Sequence, residues 1–557
     1  MSTSWEDIVA QKREDRANRL KPYADWSLGD LAPPTSQKNV LNLIHARLTE
    51  RERSFLSSDV TDLAQRLATR ECTSLEVTTA FCKAAYAAQE LTNCISEVMF
   101  AQGLARAQEL DAHVAQTGRT VGPLHGVPIS IKDHISVKGE DTAAGYVAWA
   151  GKTIAEHDAT IVHILRRAGA IIYVKTTNPQ AVFAHETDSN IYGYTTNPFN
   201  RELSSGGSSG GEGALIGSRA GLLGSIYLVS DHLAFQRVPA SWCGFYGLKP
   251  SSHRLPASGL VGSYKGKENT HMVIGPMAHS SRDLELFCRV ISSYEPWNID
   301  PTTLTIPWNS SLTEPEPGRK LVIGILIDDG VVAPHPPIVE SMQKVRDALV
   351  VAGHEVVDFK PLDHMQAFEL MIKLLLPDAG AEMRATLAES GEPAVPNVEG
   401  ILALAEKGTA LTLAETYATN LERDLFRRRA LEHWNDTAAQ SKSGRPVDAV
   451  LCPASYTLAP LHRTAGWVGY STYWNLLDLP QVAFPVGNPF DASSWEARAA
   501  PLPPRNPLEA IFQEHWDPKK FDGAPVGVTL VGRRWQEERL LSILKQVEDA
   551  VKAVGNP

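Results

Sequence analysis

The eight residues Gly206-Gly207-Ser208-Ser209-Gly210-Gly211-Glu212-Gly213 carry five glycines. They lie between apolar segments rather than polar ones, so they do not read as a flexible linker. Glycines open backbone conformations closed to other residues, and Glu212-Gly213-Ala214-Leu215-Ile216-Gly217 reads as a helix start. The chain must therefore hold a tight, buried turn delivering into a helix N-terminus. Around it, short apolar strands alternate with helical segments from Pro123 onward, as in Ala159–Arg167 followed by Ala170–Lys175. That alternation predicts an α/β fold, a mixed central sheet covered by helices on both faces. Residues 1–90 are helical in pattern, with apolar positions three and four apart, for example over Val60–Leu67 and Ser74–Phe81. They are expected to form an N-terminal helical arm on one core spanning 91–550, with a helical insertion at about 361–440. Strands return at Ala449–Ala454 and Gly527–Gly532, so the sheet order is not expected to follow the chain.

Composition excludes several classes. A net charge of −11 without a basic stripe argues against nucleic acid as a partner. The six cysteines stand far apart with no C-x-x-C pair, which predicts buried thiols in a reducing compartment and no metal site. The first residues lack a basic and then apolar leader, and no apolar run reaches membrane-spanning length. A cytoplasmic protein that does not engage membranes is the expectation.

The chemistry is carried by two short stretches. Lys132 ends the apolar run Val127-Pro128-Ile129-Ser130-Ile131, and burial there would disfavour its charged form and suit it to act as a base. Taken alone, it also fits a strand-end lysine reaching for water. Ser208 stands in the glycine turn. The tract lacks the Gly-Lys-Ser/Thr ending of a phosphate loop. It does match G-x-S-x-G, but no acid and histidine stand out downstream to complete that arrangement. A glycine-held hydroxyl plus a buried lysine are the parts of a serine hydrolase with a lysine base.

Both stretches resemble the amidase signature family, and within it the fungal acetamidases. The resemblance rests on Gly122–Asp133 and Gly206–Gly213. It extends to Ser4–Asp7, Leu91–Cys94, Tyr246–Ser251, Pro334–Ile338, Ser390–Asn397 and Gly523–Val526. It implies the amidase signature fold and a Ser/cis-Ser/Lys triad, with Lys132 the terminal base and Ser208 the middle, cis-peptide serine. Val182 matches a position lining the acyl pocket, so Val182 and Ser208 are the expected substrate contacts. The implied reaction converts a monocarboxylic, acetamide-like amide to the acid and ammonia through an acyl-enzyme. No metal or organic cofactor is implied, and a homodimer is the candidate assembly.

One segment departs from the family. Relatives carry Gly-Thr-Asp-Ile-Gly-Gly-Ser-Ile-Arg ahead of Val-Pro-Ala. Aligned on Arg237-Val238-Pro239-Ala240, this chain places Ser230-Asp231 on Thr-Asp, His232-Leu233-Ala234 on Ile-Gly-Gly, and Phe235 on the nucleophile. Counted from Ser208, the interval is about three residues longer than in relatives and lands near His232. Neither register supplies a serine, and the glycines of the oxyanion loop are replaced too. Ser225 and Ser230 are the substitute nucleophiles to weigh, with His232 behind them. Ser225–Val229 reads as a strand. Retained untranslated sequence, a catalytically inactive binding protein and a rewired hydrolase compete as explanations. The mismatch is confined to 220–236 between matching flanks, which favours the first. A long-inactive chain would have drifted at Lys132 and Ser208 as well.

Overall fold

The computed structural model describes residues 4–228, 237–406, 408–495 and 503–555. Eleven strands form one sheet: β1 Ile95–Val98, β2 Pro128–Lys132, β3 Ile171–Thr176, β4 Leu223–Leu228, β5 Tyr246–Lys249, β6 Val273–Ala278, β7 Val322–Ile325, β8 Glu355–Asp358, β9 Ala449–Pro453, β10 Gln481–Pro485 and β11 Gly527–Val531. Their order is β1-β3-β2-β4-β6-β5-β10-β11-β9-β7-β8. The sheet is mixed. Strands β3, β2 and β4 run parallel, as do β9, β7 and β8, and the strands between are antiparallel.

Both faces of the sheet are covered. Every residue of β2, β3, β9 and β11 is buried, as expected when helices lie on each side. Alternate residues enter different cores: Ala449 and Leu451 join one apolar cluster, while Val450 and Cys452 join another. That split is the period-two geometry of a strand with two covered faces. In the parallel trio, Lys132 pairs with Thr176 and Ser130 with Gly224. Lys132 thus lies at the carboxyl end of its strand, where open parallel sheets place their ligands. Helices occupy 364–375, 381–390, 396–406 and 413–436. Among the described residues no helix is long and apolar enough to cross a membrane.

Helices also fill the N-terminal part of the chain. The first of them, Trp5–Leu20, is held less by apolar spacing than by cations. Lys12 Nζ lies 2.5 Å from Glu97 and 2.9 Å from Asp141, and Arg19 lies 2.5 Å from Glu140. Arg16 donates to the Ile95 carbonyl at 2.7 Å and Arg13 to that of Ile191 at 2.6 Å. Burial pushes the Glu97 carboxyl up to about 7 although Lys12 opposes the shift. Removing a buried partner leaves an uncompensated charge, which costs more than the pair contributes. Lys12→Ala is therefore expected to lower stability by about 3 kcal/mol, read as a shift in urea midpoint. An unchanged midpoint would show that this helix does not depend on the pair.

Candidate active site

Lys132 and Ser130 share one face of β2, as residues two apart do, and both are fully buried. From that face Lys132 Nζ reaches Ser208 Oγ at 2.6 Å. Ser208 is also fully buried, and the Gly207–Ser208 peptide bond is cis. The two residues singled out by the sequence, 76 positions apart, are in direct contact.

The glycine turn is clamped from outside. Thr187 Oγ1 accepts from the Gly210 amide at 2.9 Å and donates to the Gly206 carbonyl at 3.0 Å, bracketing Ser208. A Cβ on Gly207 would sit 2.5 Å from the Ala184 carbonyl oxygen and 2.6 Å from the Glu186 nitrogen. No side chain fits there, so the 184–186 backbone packs directly on the residue before Ser208. The Gly210–Gly217 helix follows the turn at once.

Val182 belongs to the loop entering this contact. It is completely buried, in the 3₁₀ turn Gln180–Val182. Ala181 and Val182 both take left-handed conformations, at φ +61° and +57°. A β-branched residue there is strained, and such strain persists only where the surroundings over-determine it. Those surroundings are identifiable: Gln180 Nε2 donates to Glu392 at 2.8 Å, and its Oε1 accepts from the Val395 amide at 2.9 Å. The Ser390–Asn397 stretch is thus a brace for the loop that carries Val182.

On the far side, Arg237 is fully buried and donates to Asn475 Oδ1 at 2.8 Å and to Gln481. Ser225 has its backbone in β4, registered against Ile131 and Pro276. Ser230, His232 and Phe235 lie outside the described residues. His185, Val238, Trp242, Tyr456, Trp467 and Tyr470 wall a void about the size of one water molecule, which Lys132, Ser208 and Val182 do not line.

Comparison with known proteins decides the family. The family model described as Amidase matches residues 76–541. The chain belongs to the amidase family. It is 38% identical to the acetamidase of Emericella nidulans, with 100% of this chain and 99% of the relative aligned. To the acetamidase of Aspergillus oryzae it is 35% identical, with 98% of each covered. Its fold superimposes on a solved fatty acid amide hydrolase with a TM-score of 0.89 at 32% identity, covering 98% of this chain and 95% of that one. Amide hydrolysis is accordingly the reaction class to which this amidase belongs.

One residue of the amidase site received no role from the sequence. Glu212 accepts from Ser130 Oγ at 2.6 Å and from Thr176 Oγ1 at 3.1 Å, and is completely buried. Four residues after Ser208, and bonded to a serine two residues before Lys132, it ties β2, β3 and the helix after the turn together. A Cβ on Gly224 would lie 2.4 Å from its Oε2, so β4 carries glycine where it passes this carboxyl. The available signal was an acidic residue inside an otherwise small and apolar helix start. Burial raises the Glu212 carboxyl from 4.5 to about 7, against its two hydroxyl donors and the Lys132 ammonium. A carboxyl raised on folding holds its proton more tightly folded than unfolded. Its contribution is complete below pH 4.5 and is lost as pH rises toward about 7. Relative to wild type, Glu212→Gln is expected to gain about 2 kcal/mol between pH 5 and pH 8, measured by denaturant unfolding. Parallel pH profiles for the two proteins would rule out Glu212 as the titrating group.

Proposed function

We propose that this protein carries the relay of a Ser/cis-Ser/Lys amidase acting on a small monocarboxylic amide such as acetamide. The observation supporting it is the buried 2.6 Å contact between Lys132 Nζ and Ser208 Oγ. In this reading a nucleophilic serine attacks the amide carbon and passes its proton through Ser208 toward Lys132. The C–N bond then breaks, ammonia leaves with the returned proton, and water hydrolyses the acyl-enzyme. The acetamidases aligned over nearly the whole chain favour a short acyl group. Val182, buried on the strained loop, is the residue assigned to the acyl side.

The nucleophile itself is the missing part, with Phe235 in its register. We attribute this to untranslated sequence retained within 220–236, and a protein digest tests it. Arg219 and Arg237 bracket the stretch, so trypsin releases the 18-residue peptide Ala220–Arg237 from the chain as given. In protein isolated from its native cells that peptide is expected to be absent, replaced by a glycine-rich one containing Gly-Gly-Ser. Finding Ala220–Arg237 at ordinary abundance would sink the attribution.

The absence of a serine in that register also favours a second reading, an amidase-fold protein that binds an amide-like ligand without cleaving it. Fluorophosphonate labelling separates the two. Label on Ser225 or Ser230 would mean a relocated nucleophile, whereas no label on the native protein would favour the binder.

A further inference from the structure

A pocket of about 300 Å³ lies beyond the end of β11. It is five places along the sheet from β2, or roughly 24 Å at the usual strand spacing, and so is separate from Lys132 and Ser208. Trp434, Leu477 and Leu479 line it, and the Trp434 indole is fixed by donating to the Val447 carbonyl at 2.9 Å. Four arginines, Arg427, Arg428, Arg533 and Arg534, line it as well, and among the described residues no acidic side chain does.

Two of these cations are answered from outside the pocket. Arg534 lies 2.7 Å from Asp478, and Arg428 lies 3.2 Å from Glu432. The other two are not. Arg533 sits over the Trp434 ring, 5.3 Å from its centroid, and among the described residues no carboxylate comes within ion-pairing distance of it. Arg427 donates through Nε to the Leu476 carbonyl at 2.6 Å, while Asp424 stands 3.8 Å away and is shared with Arg423. Burial lowers the Arg427 guanidinium to about 10; Asp478 opposes that shift, and Arg423 and Arg534 add to it. A guanidinium so placed is still charged at neutral pH and repelled by its neighbours, and an anion set among them relieves that repulsion.

Arginine stems commonly cover apolar surface while their heads reach water, but here the hollow between them stays open. An inorganic anion in it would leave the apolar lining exposed to water, and a neutral hydrocarbon would leave the cations unanswered. A carboxylate on an alkyl chain meets both, its two oxygens matching the forked donors of a guanidinium. The volume is at the small end of ligand sites, which limits the chain to roughly eight carbons. We propose that this pocket binds a free alkyl carboxylate, with its head on Arg427 and Arg533 and its chain against Trp434, Leu477 and Leu479.

Isothermal titration calorimetry on the full chain is expected to show octanoate binding with a Kd of about 1 mM or tighter, and affinity rising about fourfold per methylene from butyrate to octanoate. Octanol and inorganic phosphate, each with one half of the recognition, should bind at least about tenfold more weakly than octanoate. Arg533→Gln should weaken octanoate by at least about tenfold, with an unchanged melting temperature, because its side chain meets only Trp434. Arg539→Gln, an exposed arginine of the next helix that does not line the pocket, should leave binding as it was. No binding of octanoate at about 10 mM, well above that Kd, would overturn the proposal. So would octanol or phosphate binding as tightly as octanoate, or an affinity indifferent to Arg533→Gln. Flotation with phosphatidylcholine/phosphatidylserine vesicles that is lost in Arg533→Gln would assign the arginines to an anionic membrane surface and overturn it as well.

Discussion

Replacing the eleven residues Ile226–Gln236 by Gly-Thr-Asp-Ile-Gly-Gly-Ser-Ile is expected to convert an inert chain into an acetamide-hydrolysing enzyme. The unaltered chain should release ammonia from acetamide no faster than buffer does. Phe235 has no oxygen with which to attack, and in sequence register Leu233 and Ala234 replace the two glycines whose amides relatives would present. Restoring one oxyanion donor alone is worth about 10²- to 10³-fold. With the nucleophile regained as well, turnover should rise by at least about 10⁴-fold. The replacement joins onto Ser225, which with Leu223 and Gly224 pairs with Ile131, Ile129 and Ser130 of β2. It also removes the surplus of three residues. Two results would defeat the prediction. One is a replaced chain as inert as the original. The other is turnover by the unaltered chain that vanishes with Ser225→Ala or Ser230→Ala.

In that restored enzyme, Lys132→Ala should cost on the order of 10⁶-fold in kcat, the loss seen when one member of a concerted catalytic unit is removed. Ser208 then has no base to which it can pass the nucleophile's proton. KM should change far less than kcat, because in this mechanism the lysine reaches the reaction only through Ser208, which it contacts at 2.6 Å. The folded state should be little altered, since alanine takes away a buried polar group together with its desolvation cost. A kcat within tenfold of the parent would remove Lys132 from the mechanism.

The parts of the site that were legible beforehand share one property: each is a local pattern. Lys132 ends a short apolar run, and Ser208 sits in a glycine tract too long and too apolar in its flanks to be a linker. The alternation of strand and helix segments likewise foretold a two-faced mixed sheet, because period two and period 3.6 are written in neighbouring residues. Glu212 was in view but silent. Its meaning depends on Ser130 and Thr176, 82 and 36 residues away, arriving at the same carboxyl. The brace on the Val182 loop is still more remote, with Gln180 and Glu392 separated by 212 positions.

What the sequence determined by itself was the family, the strand that carries the lysine, the turn that carries the serine and the absence of a serine in the expected register. Only the tertiary structure decided that Lys132 and Ser208 touch, that Glu212 joins three elements beneath them, and that Lys12 inserts between Glu97 and Asp141 to hold the first helix. The reason is physical. Backbone conformation and burial preference are set within a few residues, whereas the partner of a buried charge is whichever group the packing brings within about 3 Å. An eleven-strand order in which six of the ten neighbouring pairs are not consecutive in the chain settles those meetings, and no spacing along the chain records them.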